Sequence, residues 1–495
     1  MALSGCASTH GIAPNDKATT LSSIDAGLVI RSAKLDANWP VDDWWKAFND
    51  PQLDALVQTA LTSSPTLAAA RARVRDAEAM SGEAKAYTLP HINGDLTLQR
   101  QTWPTDDFYG PAPLASAQTW NNSATLGLLY HLDIWGKDKN VTRRATDLAH
   151  ATVAKERAAR LELETNVVRK YVHLSMLYSL RDIDVQLLAR QRKIVDLTQR
   201  RYLGGLGTLL DVTQARTSLP ALNKAIEAHN EAIQLDKDEL AALEGKGPGA
   251  GDSIQRPKLV PVCAAGLPST LPLELVGHRP DVVAARWAVA ARARSIDVAH
   301  ANFYPDINLL ATVGGISSIG PLFQFLHAQN GDNSFGPAVS LPIFEGGKLR
   351  SELGAASAQY DETVELYNNT ILNSLKEIAE QITILGSLKI QQGDAQSISD
   401  LNEKNCQLAQ KLFRRGLTDY FDVLVTQTKL LHSREEVIRL QSKQLVAFTS
   451  LNEALGGGLE LISDSPSAAE MSSDSGHVSA LPAIPPDARL TVRSD

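Results

Sequence analysis

The sequence predicts a mainly helical chain with a minor membrane-strand component, built twice from the same plan. Three observations carry this. Residues Arg201 to Val212 (RYLGGLGTLLDV) follow about 60 residues free of proline and glycine and precede a second helical run, so they read as the turn of a long helical hairpin. Phe413, Gly416, Leu417, Asp422 and Val423 repeat Tyr202, Gly205, Leu206, Asp211 and Val212 at one constant spacing. Short alternating segments, bracketed by aromatic residues, precede each long hairpin.

Composition narrows the function. The 495 residues carry a formal net charge of -8 and a pI near 5.8, without the basic face that nucleic acid requires. Aromatic residues make up only 5% of a chain rich in alanine and leucine, which suits long helices packed side by side. No apolar run reaches the roughly 18 residues of a membrane-spanning helix, so any bilayer crossing is made by strands. Three cysteines give no zinc or disulfide framework. Cys6 is the informative one: Leu3-Ser4-Gly5-Cys6-Ala7 resembles a bacterial lipobox, whose cysteine is lipidated. Only Met1 and Ala2 precede it, so the charged and apolar parts of a signal peptide would lie upstream; an ordinary apolar N-terminus is the alternative reading of these residues.

In chain order, residues 1–38 are expected to form an N-terminal arm, polar and without periodicity. Trp39 to Leu53 brings four aromatics and then Pro51 after Asp50, a helix start with aromatic packing before it. Leu53, Leu56, Val57, Ala60 and Leu61 continue at helical spacing. The first structural repeat is expected over 39–260 and the second over 261–458, with a glycine- and proline-rich linker between Gly245 and Pro272. Pro65 to Asn93 and Pro280 to Asn308 align without a gap, each a helix that ends at a proline opening an extended segment.

Those segments are expected to be β-hairpins over about 90–134 and 305–344. Ile92, Gly94, Leu96 and Leu98 alternate with Asn93, Asp95, Thr97 and Gln99. Ala124, Leu126, Leu128, Tyr130 and Leu132 alternate likewise, with Leu129 breaking the pattern. In the second copy Ile307, Leu309, Ala311 and Val313 go out, and Phe335, Val339, Leu341 and Ile343 return. A soluble antiparallel sheet would alternate too. Transmembrane barrels need at least eight strands and no open edges, so four strands imply an oligomer, eight strands from a dimer or twelve from a trimer.

Long helical hairpins follow over about 141–244 and 348–455. Ala215, Leu219, Leu222, Ile226, Ile233 and Leu240 stripe one returning helix, with a local bend expected at Pro220. Leu424, Leu431, Ile438 and Leu445 stripe the other at a heptad. Thr208 with Asp211, and Asp419 with Asp422, have the spacing of a helix N-cap and its third residue. Residues 459–495 turn to serine, proline and aspartate, a disordered tail by composition. No HExxH, Walker loop, GxSxG or cysteine and histidine cluster is found, so neither an enzyme nor a cofactor or metal site is expected. A periplasmic coiled-coil protein would explain the helices but not the hairpins.

WWKAFNDPQLDALV, YHLDIWGK, HRPDVVAARW, LPIFEGGKLR and LNEALGGGL together resemble the signatures of TolC-like outer-membrane efflux factors. The likeness is to the lipoprotein branch that serves tripartite drug pumps of the resistance-nodulation-division type, and it covers about 39–458. It implies a homotrimer anchored in outer-membrane lipid by Cys6, its twelve strands forming one β-barrel continued by an α-helical barrel across the periplasm. It also implies a periplasmic adaptor and an inner-membrane pump as partners. By the same resemblance Gly205, Leu206, Gly416 and Leu417 would meet the adaptor, and Asp211, Phe421, Asp422 and Val425 would line the periplasmic gate. Relatives commonly carry a second aspartate one turn after the first, where this chain has Val425. The expected function is passive export of small molecules, with the conduit of a type I protein secretion system as the alternative.

Overall fold

The computed structural model describes residues 9, 11–19, 30, 39–104, 116–260, 278–317 and 321–458; Cys6 and the 459–495 tail lie outside the described residues. Among these residues seven α-helices and four strands follow in chain order: α1 Pro51–Ser63, α2 Pro65–Ala86, β1 His91–Thr102, β2 Gln118–His131, α3 Lys137–Leu203, α4 Leu209–Leu243, α5 Pro280–Ala301, β3 Asp306–Ser317, β4 Gly331–Ser340, α6 Lys348–Arg414 and α7 Tyr420–Ala454.

α3 and α6 each hold 67 residues, which at 1.5 Å per residue is about 100 Å of helix. α3 opens at Lys137, four residues before its expected start, because Gly136 takes a left-handed conformation (φ 74°) at its cap. α4 and α7 return over 35 residues each. α4 runs unbroken through Pro220. Along α7 the fully buried seam is Val423, Leu430 and Val437, one residue ahead of the expected heptad. Leu424, Leu431 and Ile438 flank that seam half-buried, since the helix packs against α6 and α3 on one side only within the chain.

Each repeat has its own core. In the first, Trp44, Trp45 and Phe48 form a short turn and bury with Leu53, Val57 and Leu67 against Val167, Tyr171 and Leu174 of α3. Asp50 caps α1 through Gln52 N–H (3.0 Å) and also accepts from Tyr171 Oη (2.8 Å) and Lys258 N–H (2.7 Å), which ties the aromatic segment to α3 and to the linker. In the second, α5, α6 and α7 share Val282, Val289, Leu353, Val364, Ile371, Ile378 and Leu451. The repeats meet where Ala151 and Ala154 of α3 face Val283, Ala284, Trp287 and Ala290 of α5; small side chains let these helices approach closely. The arm lies on the second repeat: Asn15 N–H and Thr19 N–H donate to Asp361 Oδ1 (3.0 Å) and Asn368 Oδ1 (2.8 Å) of α6.

The strands form one antiparallel sheet in the order β1-β2-β3-β4, so β2 and β3, from different repeats, are neighbours and β1 and β4 are its edges. Register decides the faces. Leu96 pairs with Ala124, Leu126 with Val313 and Ala311 with Phe335, which puts Ile92, Leu96, Leu98, Leu126, Leu128, Leu309, Val313, Phe335 and Val339 on one continuous face. Thr97, Gln99, Ser123, Thr125, Asn308, Thr312 and Ser334 fall on the other. Leu129, the residue that breaks the alternation, pairs with Leu310 on this polar face. β4 ends at Ser340, so Leu341 and Ile343, expected in the strand, instead lead into α6; Pro342 between them has no N–H to continue a ladder. Leu132 likewise lies just past β2, although its N–H still reaches Ile307 O at 2.9 Å.

Candidate gate at the hairpin tips

The two helical hairpins turn at the same end of the molecule, by the same device. Gly205 (φ 73°) and Gly416 (φ 74°) occupy the left-handed region that their turns require. Gly205 N–H donates to Tyr202 O and Leu206 N–H to Arg201 O (2.8 Å); Gly416 N–H donates to Phe413 O and Leu417 N–H to Leu412 O (3.0 Å). These bonds satisfy the last carbonyls of α3 and α6, and they leave Leu206 and Leu417 pointing outward, 73% and 69% exposed.

The returning helices start on caps. Thr208 Oγ1 accepts from Asp211 N–H (3.2 Å) while the Asp211 carboxylate accepts from Thr208 N–H (2.8 Å), a reciprocal capping box. Asp419 Oδ1 accepts from Asp422 N–H (3.2 Å), and the Asp422 carboxylate accepts from the Thr418 hydroxyl. Both acids therefore start helices.

Beneath the turns, Phe413, Tyr420, Val423, Ala215 and Ala409 form a small buried core joining the hairpins. Arg201 bridges them above it: its guanidinium lies 4.6 Å from the Phe413 ring centroid and donates to Phe413 O (2.7 Å) and Leu206 O (3.3 Å). Gln191 Nε2 donates to Tyr420 Oη (2.6 Å) and Ala215 O (3.0 Å). Burial raises the Tyr420 phenol, keeping it a neutral hydrogen-bonding group.

The structure brings Leu206, Asp211, Gly416 and Leu417 to one cleft between the turns. Asp422 and Val425 line a separate groove between α6 and α7 with Thr418, Leu408 and Lys429. Phe421 stands exposed at the start of α7. The candidate gate residues thus do not converge within one chain. Arg201, Gln191 and Tyr420 were not singled out by the sequence. A signal for two of them was present: at the spacing that aligns the hairpins, Arg201 stands opposite Leu412, and Tyr420-Phe421 opposite Leu209-Leu210. Arg201 and Tyr420, two of the residues at which the copies differ, are the ones that join the hairpins; Phe421 stays exposed.

The sequence profile of the family described as outer membrane efflux protein matches residues 56–246 and 271–457. The fusaric acid resistance protein FusA of Burkholderia cepacia is 55% identical over 356 residues, covering 72% of this chain and 67% of that protein. The multidrug resistance outer membrane protein MdtP of Escherichia coli K12 is 30% identical over 435 residues, covering 86% of this chain and 88% of that protein. Among solved structures, the outer membrane protein VceC of Vibrio cholerae superposes with a TM-score of 0.79 at 32% identity, over 85% of this chain and 100% of that one. The Campylobacter jejuni CmeC outer membrane channel, at 20% identity and a TM-score of 0.82, shares the fold. With both repeats matched, long helical hairpins below a four-stranded sheet, and an apolar sheet face, this chain belongs to the outer membrane efflux protein family and is a TolC-like efflux channel protein.

Proposed function

We propose that three copies of the chain close into one twelve-stranded outer-membrane barrel over a helical conduit that passively exports small molecules. The observation that carries this is the sheet: one face apolar except toward the hairpin turns, where Arg100, Asn122, Ser317 and Asn333 lie, mostly polar residues opposite, and open edges at β1 and β4. Edges cannot face lipid, and four strands are too few to close. Ile390, Ile398 and Leu401 of α6 are exposed in the single chain, a surface suited to a lateral neighbour. Fusaric acid, drugs and pyoverdine appear in the names of similar proteins, which supports small organic cargo over secreted protein.

In this reading an inner-membrane pump supplies the energy and a periplasmic adaptor seats on the hairpin tips at Gly205, Leu206, Gly416 and Leu417. Exposed Leu206, Leu417 and Phe421 supply apolar contact area there. Adaptor binding exchanges tip contacts such as those of Arg201 for adaptor contacts and opens the gate around Asp211, Phe421, Asp422 and Val425. Cys6 carries the lipid anchor, and acyl mass on an N-terminal peptide of the membrane-extracted protein tests that.

The deciding experiment is planar-bilayer conductance of the detergent-purified chain with its particle mass determined on the same sample. Discrete channels from a three-chain particle are expected, and a monomer without channels would sink the barrel reading. Asp211→Ala combined with Asp422→Ala is expected to raise conductance severalfold by loosening both helix starts; unchanged conductance rejects these acids as gate elements.

A further inference from the structure

Where the sheet passes into the long helices, one histidine is held by two carboxylates. His131, the last residue of β2, faces Asp138 in the first turn of α3 through Nδ1, and Asp306, the first residue of β3, through Nε2 at 2.7 Å. The side chain is only 22% exposed. A neutral imidazole donates from one ring nitrogen and accepts at the other. A carboxylate on each nitrogen therefore calls for two N–H donors, which is the imidazolium form.

We propose that His131 is a proton-binding site, a clasp that fastens the two repeats at the mouth of the β-sheet when protonated and releases them when not. Asp138 belongs to the first repeat and Asp306 to the second, so the bound proton links a strand, a helix start and the neighbouring strand of the other repeat. The other charged groups lining the same cleft are Asp133, from the turn between β2 and α3, and Lys137, the first residue of α3. Asp133 is engaged through Oδ2 by Lys139 N–H (2.9 Å), so it serves the α3 start. From the α5 and β4 side the cleft presents Asn302, Tyr304, Ser340 and Pro342, with no charge to compete for His131. The outer wall of the junction is fixed independently of protons: Trp135 stacks on Tyr304 with centroids 4.7 Å apart and donates through Nε1 to Pro305 O (2.8 Å). Loss of the proton would thus leave Asp138 and Asp306 facing a neutral ring while the outer wall still holds, a local loosening and not an unfolding.

The clasp is made in acid and undone as pH rises through the His131 titration, the direction expected of a cation gaining anionic partners on folding. Because it lies within one chain, it stands whether or not the tips gate as proposed.

The test uses the full chain labelled with 15N-histidine and reconstituted in lipid. Its magic-angle-spinning spectrum is compared with that of His131→Gln at a pH above 7, where an ordinary imidazole, with a pKa of about 6.5, is mostly neutral. Two protonated ring nitrogens in the difference spectrum are expected; a neutral tautomer there overturns the proposal. Should His131→Gln fail to assemble, Asp306→Asn identifies the same signal, and its titration midpoint should fall by roughly a unit or more. An unmoved midpoint also overturns it. His131→Arg, whose charge persists and whose planar fork can serve two carboxylates, should match the native thermal midpoint in acid and exceed it in alkali. A merely structural histidine would give a pH-independent loss.

Discussion

Glu164 shows what a single buried group contributes. It lies inside α3 at 3% exposure, accepts from Arg160 Nε at 2.9 Å, and burial pushes its carboxyl up to about 7 despite that arginine. A folded value above the unfolded one means its stabilising contribution is complete below the unfolded range, near 4.3, and is lost as pH rises through about 7. Glu164→Gln is therefore expected to raise the thermal midpoint above pH 7, by on the order of 1–3 kcal/mol in stability, with the gain vanishing toward the unfolded range. Midpoints measured across a pH series check this, and a pH-independent difference would contradict it. Asp211 is legible in the sequence for a different reason: a capping box is local, and its residues are three apart. Asp211→Ala removes one N-cap partner and should cost about 1 kcal/mol in thermal or denaturant unfolding. Arg201 and Gln191 were not legible, because their partners Phe413 and Tyr420 lie more than 200 residues away.

At the scale of elements, the sheet and the α3–α5 contact give opposite lessons. Alternation in the strands was visible, and register turned it into a face: Leu96 lies on the apolar side and Thr97 on the polar one. Leu96→Arg should impair barrel assembly in lipid, at a cost of about 2–4 kcal/mol near the bilayer midplane, while Thr97→Arg should assemble and shift ion selectivity. Heat-resistant oligomer on native gels and bilayer conductance separate the two, and equal behaviour would reject the facing. Leu129 opposite Leu310 explains the one break in alternation as a cross-strand pair, which no reading of β2 alone could supply. In composition the alanines point only to long helices packed side by side, without naming a contact. Ala151 and Ala154 are also the contact surface for Trp287 and Val283, so Ala154→Leu should destabilise by about 1–3 kcal/mol through overpacking, measured by thermal unfolding.

Over the whole molecule, duplication does more than lengthen the chain. Because β2 pairs with β3 across more than 170 residues, the two repeats share one sheet, and the helices below must then run side by side. The same arrangement leaves β1 and β4 as edges at opposite ends of that sheet, where the proposed closure pairs each with another copy. A cysteine placed on β1 and one on β4, at matching height, should cross-link between chains and give a covalent trimer on denaturing gels. Cross-linking that stops at dimers would contradict closure by three.

The sequence by itself determined the helical hairpins, their turns, their caps and the existence of two repeats. These depend on contacts within a few residues or on a pattern repeated along the chain, and both are written in order. Tertiary structure alone decided the strand register, the ends of β2 and β4, the buried seam of α7, the Arg201 bridge and the His131 clasp. Most of these are set by which distant segments meet, and pairing across a hundred residues or more leaves no local trace in composition or periodicity; the end of β4 alone also carries a local mark, Pro342. Asp138 is a helix-start acid by position, and only the fold sets it against His131, whose other ring nitrogen faces Asp306.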